Sequence, residues 1–293
     1  MPETYRCGVA DTEGGAAAVE RFLETLELER LDRDLFRGWN PPHPSGRKMP
    51  LFGGQVAAHA LRAATLTVDA PHYAHSLHGY FLRPGKDESP TILRVDRIRD
   101  GKSFTTRTVV AMQDGEAIFS LTASFHKDEP GGQFSTPIAD DIPLPDELLS
   151  RDDVVTQREF RGVESPFQRV EVPGYGHFEG SQSPRRAMWI RVRAPLPDDP
   201  NLHACVLTFV SDMGVVSAVR AALGRRNDHG MGASLDHSIW FHRRVRVDEW
   251  LLFDVSSRSN NSARGLGVGS MHTVDGIHAA TIGQEALVRL PEA

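Results

Sequence analysis

Cysteine is scarce in this chain: two in 293 residues, Cys7 and Cys205, with no C-x-x-C pair. That excludes a disulfide scaffold and a zinc knuckle and suits a reducing compartment, so we expect cytoplasmic residence. A basic excess is also missing. The formal charge of −6 argues against general nucleic-acid binding. The opening "MPETYRCGVADTEGG" has no apolar core of a signal peptide. No run is read as approaching the roughly 18 apolar residues of a membrane span, so no membrane partner is expected. The ending "RLPEA" carries no peroxisomal or lipidation signal. Asn260-Asn261-Ser262 matches a glycosylation sequon by chance.

What is present is an ordinary globular balance, 40% apolar and 25% charged, long enough for two domains or one large one. "AAAVERFLETLELERLDRDLFRGW" reads as a short helix followed by a strand. "FGGQVAAHALRAATLTV" then has Val56, Ala57, Ala60, Leu61 and Ala64 at helical spacing. Four β segments follow, "HSLHGYFLRP", "SPTILRVDRIRDG", "KSFTTRTVVAMQDG" and "EAIFSLTASFHK", the last two joined by an Asp-Gly hairpin turn. Residues 128–165 are rich in Pro, Gly, Asp and Glu and lose periodicity, which reads as a linker.

The same order then recurs. "SDMGVVSAVRAALG" reads as a helix opening at Asp212. "SLDHSIWFHRR", "EWLLFDVSSRS", "NNSARGLGVGSMHTVDG" and "IHAATIGQEALVRL" follow as four more strands. His237 lies 159 residues after His78, Val255 160 after Val95, and Asp275 161 after Asp114. A helix with four antiparallel strands, written twice, is an α+β duplication.

Three polar residues break the apolar pattern in the second copy only. In the last strand Ile282, Ala286, Val288 and Leu290 alternate in one phase, and Gln284 falls in it, so its amide points into the apolar side and needs partners there. The corresponding first-copy residue is Ala123; for Asp212 it is Gly53 and for Ser234 it is His75. Taken singly, Asp212 would serve as a helix N-cap, Ser234 as a turn residue and Gln284 as a partner of nearby backbone. "GLGVG" (265–269) lies in a β segment and opens no helix, so it is not a phosphate loop. His72, His75 and His78 sit at a strand entry and are not read as a metal site; neither metal nor cofactor is expected. Ser234 stands two residues before Asp236 and three before His237, but lacks the G-x-S-x-G frame of a nucleophile elbow.

The phrases "LFRG" (35–38), "FGGQVAAHAL" (52–61), "HSLHGYFLRPG" (75–85), "RDGKSF" (99–104), "TASFH" (122–126), "WIR" (189–191), "SLDHSIWFHR" (234–243), "EWLLFDV" (249–255), "SARG" (262–265) and "QEALVR" (284–289) together resemble the acyl-CoA thioesterase II (TesB-type) family. The resemblance implies a double hotdog: two tandem hotdog domains, each a long helix wrapped by an antiparallel sheet, with the sheets joined side by side. The corresponding boundaries are an N-terminal domain over 1–127, a linker over 128–165 and a C-terminal domain over 166–293. It implies a catalytic set of Asp212, Ser234 and Gln284, the serine standing where several relatives carry threonine. It also implies hydrolysis of fatty acyl-CoA without a covalent intermediate, with a homo-oligomer by analogy.

Water attack needs a carboxylate to take a proton and polar groups to aim the water. Asp212 is then the base, and Ser234 and Gln284 position the water. Backbone N–H groups at helix starts would receive charge on the thioester oxygen; the candidates are Gly53, Gly54, Met213 and Gly214, the latter pair favoured because it adjoins Asp212. Competing readings are a non-catalytic acyl-CoA binder and a hotdog enoyl-CoA hydratase using an Asp/His pair that would include His237.

Overall fold

In a computed structural model, the described residues are 12–41, 46, 48–152, 154, 156–175, 184–223 and 231–289. The first half runs α1 (Thr12–Leu26), β1 (Glu29–Asp32), β2 (Leu35–Gly38), α2 (Gly53–Thr65), β3 (Tyr73–Phe81), β4 (Thr91–Asp100), β5 (Phe104–Gln113) and β6 (Glu116–His126). Between the halves lie α3 (Pro145–Leu149), β7 (Thr156–Phe160) and β8 (Val163–Glu171). The second half continues with β9 (Arg185–Val192), α4 (Pro200–Ser211), α5 (Val215–Ala221), β10 (Met231–Ser234), β11 (Asp236–Phe241), β12 (Leu251–Asn261), β13 (Arg264–Thr273) and β14 (His278–Arg289).

The strands form one antiparallel sheet, ordered β1-β2-β4-β5-β6-β3-β11-β14-β13-β12-β9-β8-β7, with β10 also on β14. The halves repeat: β2-β4-β5-β6-β3 in the first matches β9-β12-β13-β14-β11 in the second. They join where β3 meets β11, in the register Ser238 to His78 and His237 to Gly79. The predicted Asp114-Gly115 hairpin has both residues at positive φ, 51° and 80°, the conformation that follows the right-handed twist of its strands.

Inside the curved sheet, α2 and α4 pack against each other antiparallel. The start of α2 at Gly54 approaches Phe209 near the end of α4, while Arg62 reaches Asp199 at the α4 start. An ideal Cβ on Gly54 would lie 2.4 Å from the Phe209 carbonyl oxygen, so this crossing requires glycine. The core is continuous across both halves and includes Leu61, Leu77, Phe119, Val206, Phe253 and Ile282.

Three expectations need correction. The second-half helix does not open at Asp212: the main helix is α4, which ends there, and α5 begins after the break at Met213-Gly214. Sequence periodicity missed α4 because it is apolar on nearly every side, as a helix enclosed between a sheet and another helix must be. Its start was nevertheless written locally, since Pro200 stands in its first turn and the Asp199 side chain caps it by accepting from the Asn201 N–H. The helical run Pro200–Ala221 is also long and apolar enough to span a membrane by length and composition, although most of it is buried inside this fold. Residues 128–165, read as linker, hold α3 and the β7 strand, and β7 pairs with β8 at the sheet edge.

Candidate active site

The end of α4 places Asp212 where both halves meet. Its Oδ2 accepts from the Gly54 N–H at 2.8 Å, at the start of α2. Its Oδ1 accepts from Gln284 Nε2 at 2.9 Å and from the Ser234 hydroxyl at 3.2 Å. Gln284 Nε2 also donates to Ser234 Oγ at 2.6 Å. The three side chains singled out from the sequence therefore share one contact, from α4, β10 and β14.

Each is delivered by local structure. Gln284 is fully buried in the inward phase of β14, flanked by Ile282 and Ala286 as the alternation requires. Ser234 ends β10 opposite Ala286, and the chain then steps into β11 through Leu235, whose N–H donates to the Glu285 carbonyl. Asp236 is not part of the site: its Oδ1 accepts from the Glu285 N–H and secures that step. Asp212 is 7% exposed and Ser234 is half-buried, so the cluster opens towards solvent on the serine side.

Burial raises the Asp212 carboxyl above the ordinary 3.8; the nearby His237 and the hydrogen bonds from Gln284, Gly54 and Ser234 oppose that rise without cancelling it. A carboxylate in this setting is a stronger base than a solvated aspartate, whose pKa lies about 3 units below neutral. Ser234 has no histidine nitrogen within hydrogen-bond distance among the described residues; its partners are Asp212 and Gln284.

The four backbone candidates separate. The Gly54 N–H is taken by Asp212 and the Met213 N–H by the Val210 carbonyl at 2.9 Å. Gly214 precedes the seven-residue α5 in a left-handed conformation, φ 101°, hard against Arg186. Gly53 has no acceptor for its N–H among the described residues, and an ideal Cβ there would lie 2.7 Å from Asp212 Oδ2. The helix start adjoining Asp212 is thus that of α2, not the second-half helix favoured from sequence.

Two contacts escaped sequence reasoning. His237 is fully buried, with Nδ1 2.6 Å from Gln284 Oε1 and Nε2 2.8 Å from Ser211 Oγ. The available signal was its phase: His237 and Ile239 alternate inward on β11, just as Gln284 and Ile282 do on β14. Both ring nitrogens are engaged, which leaves neither aimed at a substrate as an Asp/His hydratase pair would need. The histidines near β3 scatter instead: His75 meets Ser124, His78 meets Ser238 and His72 meets the Asp69 carbonyl. Among the described residues no group of three or more His, Cys, Asp or Glu side chains could hold a metal ion.

Comparison with known proteins places the chain in a family. Residues 155–287 match the acyl-CoA thioesterase family, and residues 41–126 match the acyl-CoA thioesterase N-terminal domain. The chain is 35% identical to human acyl-coenzyme A thioesterase 8, covering 97% of this chain and 93% of that protein. It is 30% identical to acyl-CoA thioesterase 2 of Haemophilus influenzae, over 94% of this chain and 99% of the relative. The crystal structure of the acyl-CoA thioesterase II TesB2 from Mycobacterium marinum superposes with a TM-score of 0.77 at 39% identity, covering 94% of this chain and 99% of that one. A hot dog fold protein of unknown function from Alicyclobacillus acidocaldarius, 20% identical, superposes at 0.75 over 93% of this chain and 99% of its own, a likeness of fold alone. Fold, family match and relatives agree: this chain belongs to the acyl-CoA thioesterase family of type II and is a thioester hydrolase built as a double hotdog.

Proposed function

We infer that the protein hydrolyses fatty acyl-CoA to the free acid and CoA by direct attack of a water held by Asp212, Ser234 and Gln284. The observation that carries this reading is the convergence of three polar groups on one buried carboxylate beside a helix start. Asp212 takes a proton from the water, whose oxygen bonds to the thioester carbon. Ser234 and Gln284 fix the direction of approach, which matters because positioning alone is worth several kcal/mol of barrier. The Gly53 N–H, at the positive end of α2, faces the developing oxyanion. The C–S bond then breaks, and the proton passes to the departing thiolate.

Ser234 is a positioning hydroxyl in this scheme. No histidine nitrogen reaches its hydroxyl among the described residues, and that hydroxyl is engaged by Asp212 and Gln284. The test is a series of acyl-CoAs from short to long chain, followed by free CoA. Multiple turnovers with linear onset and no acylated protein support direct water attack. Acyl-CoA binding with no CoA release across the series would leave only the binding-protein reading.

A further inference from the structure

The orientation of the Gln284 amide is decided by its neighbours. Asp212, when ionised, offers only acceptors, so the amide nitrogen must face Oδ1, 2.9 Å away. Its second hydrogen then meets Ser234 Oγ at 2.6 Å. The amide oxygen is left pointing the other way, to His237 Nδ1 at 2.6 Å, and two bare acceptors do not sit at that distance. Nδ1 must therefore carry a proton. On the far side of the ring, Nε2 lies 2.8 Å from Ser211 Oγ, which is also 2.9 Å from the Thr208 carbonyl. The Ser211 hydroxyl donates its one proton to the Thr208 carbonyl, so the protonation that the geometry fixes is that of Nδ1, facing the Gln284 oxygen. Ser211 is peptide-bonded to Asp212, so α4, β11 and β14 close a ring of four side chains: Ser211, His237, Gln284 and Asp212.

Resting on the water-attack reading above, we propose that His237 is the positioning residue that holds the Gln284 amide with its nitrogen towards Asp212 and Ser234. A flipped amide would set its oxygen against the Asp212 carboxylate and withdraw both donors from Asp212 and Ser234, the groups that hold the water. His237 itself touches no reacting atom; it acts through Gln284. The charged groups facing it are Asp212 at the end of α4 and Asp236 beside it on β11, with the neutral Gln284 presented by β14. Burial lowers its basicity, while Asp212, the Gln284 hydrogen bond and Asp236 oppose that fall.

The test pairs two substitutions with a double-mutant cycle on the full chain. His237→Leu removes the donor; kcat is expected to fall roughly 10- to 100-fold with KM within about twofold, the pattern of a lost positioning bond. His237→Asn keeps an N–H near the place of Nδ1 and should recover most of that loss. In a Gln284→Ala background, His237→Leu should cost nothing further, because the group it acts through is gone. Nitrogen-15 NMR of the unsubstituted protein should show His237 protonated at Nδ1, a measurement that stands even if a variant fails to fold. Equal losses in the Asn and Leu variants, multiplying losses in the cycle, or a bare Nδ1 would each overturn the proposal. If Gln284→Ala lowers turnover while His237→Leu does not, this inference fails alone; if Gln284→Ala keeps full turnover, the water-attack reading falls and takes it along.

Discussion

Gly54 and Asp212 are 158 residues apart in the chain, yet the N–H of one donates to the carboxylate of the other at 2.8 Å. This bond ties the start of the first-half helix to the end of the second-half helix. It makes the site a property of the duplicated pair, although its three named side chains all come from one copy. The same contact supplies part of the hydrogen bonding that a buried carboxylate needs to remain ionised.

Asp212→Asn tests the base directly. Turnover of acyl-CoA is expected to fall roughly 10²- to 10⁴-fold. The fold should survive, because the amide removes a charge that burial disfavours. Thermal unfolding beside steady-state kinetics checks both halves of the expectation. A folded Asn variant with near-normal turnover would remove Asp212 from the mechanism.

The pH dependence has two signs. Only ionised Asp212 accepts a proton, so turnover should drop as pH falls through a folded-state pKa raised above 3.8. Stability runs the other way. Between the unfolded and the raised folded value, the native state binds more protons, so the contribution of this residue to stability is largest at low pH and declines as pH rises through that window. A pH–rate profile, with unfolding free energies of the native and Asp212→Asn proteins across the same range, resolves the two.

Ser234→Thr keeps the hydroxyl that donates to Asp212 and accepts from Gln284, so turnover should stay within about tenfold. Ser234→Ala removes it and should lower kcat by roughly 10-fold or more. Intact-mass spectrometry during turnover should find no acyl adduct on either variant or on the native protein; an adduct mapping to Ser234 would restore the nucleophile.

Gly54→Ala tests the helix crossing. The added methyl meets the Phe209 carbonyl oxygen at 2.4 Å and the Phe52 ring at 2.5 Å, and the carbonyl belongs to a helix that cannot yield cheaply. A loss of about 1–3 kcal/mol is expected in urea unfolding. Gly283→Ala is the control: its nearest neighbour is the Trp240 ring at 4.0 Å, so stability should change by no more than about 0.5 kcal/mol.

Legibility followed the reach of each physical signal. Gln284 was readable because a strand alternates with period two, and an amide in the apolar phase is visible in five residues of text. The Asp114-Gly115 hairpin was readable because its chemistry is local to the turn. The extent of α4 was not, since a helix enclosed on all sides loses the polar stripe that marks its period. Asp212 was identified by resemblance and by comparing the copies, but its place as the last turn of one helix, not the first of another, was hidden by that missing element.

The sequence by itself determined the duplication, the strands with their inward faces, and the residues that carry polar groups into an apolar phase, because these depend on periodicities of two to four residues. Only the tertiary structure decided which helix start meets Asp212, which backbone N–H groups are already taken, and that His237 stands behind Gln284. The contacts of Gly54 with Asp212 and of His237 with Gln284 span 158 and 47 residues of chain. They are set by the antiparallel crossing of α2 on α4 and the register of β11 against β14, long-range packing that no local pattern encodes.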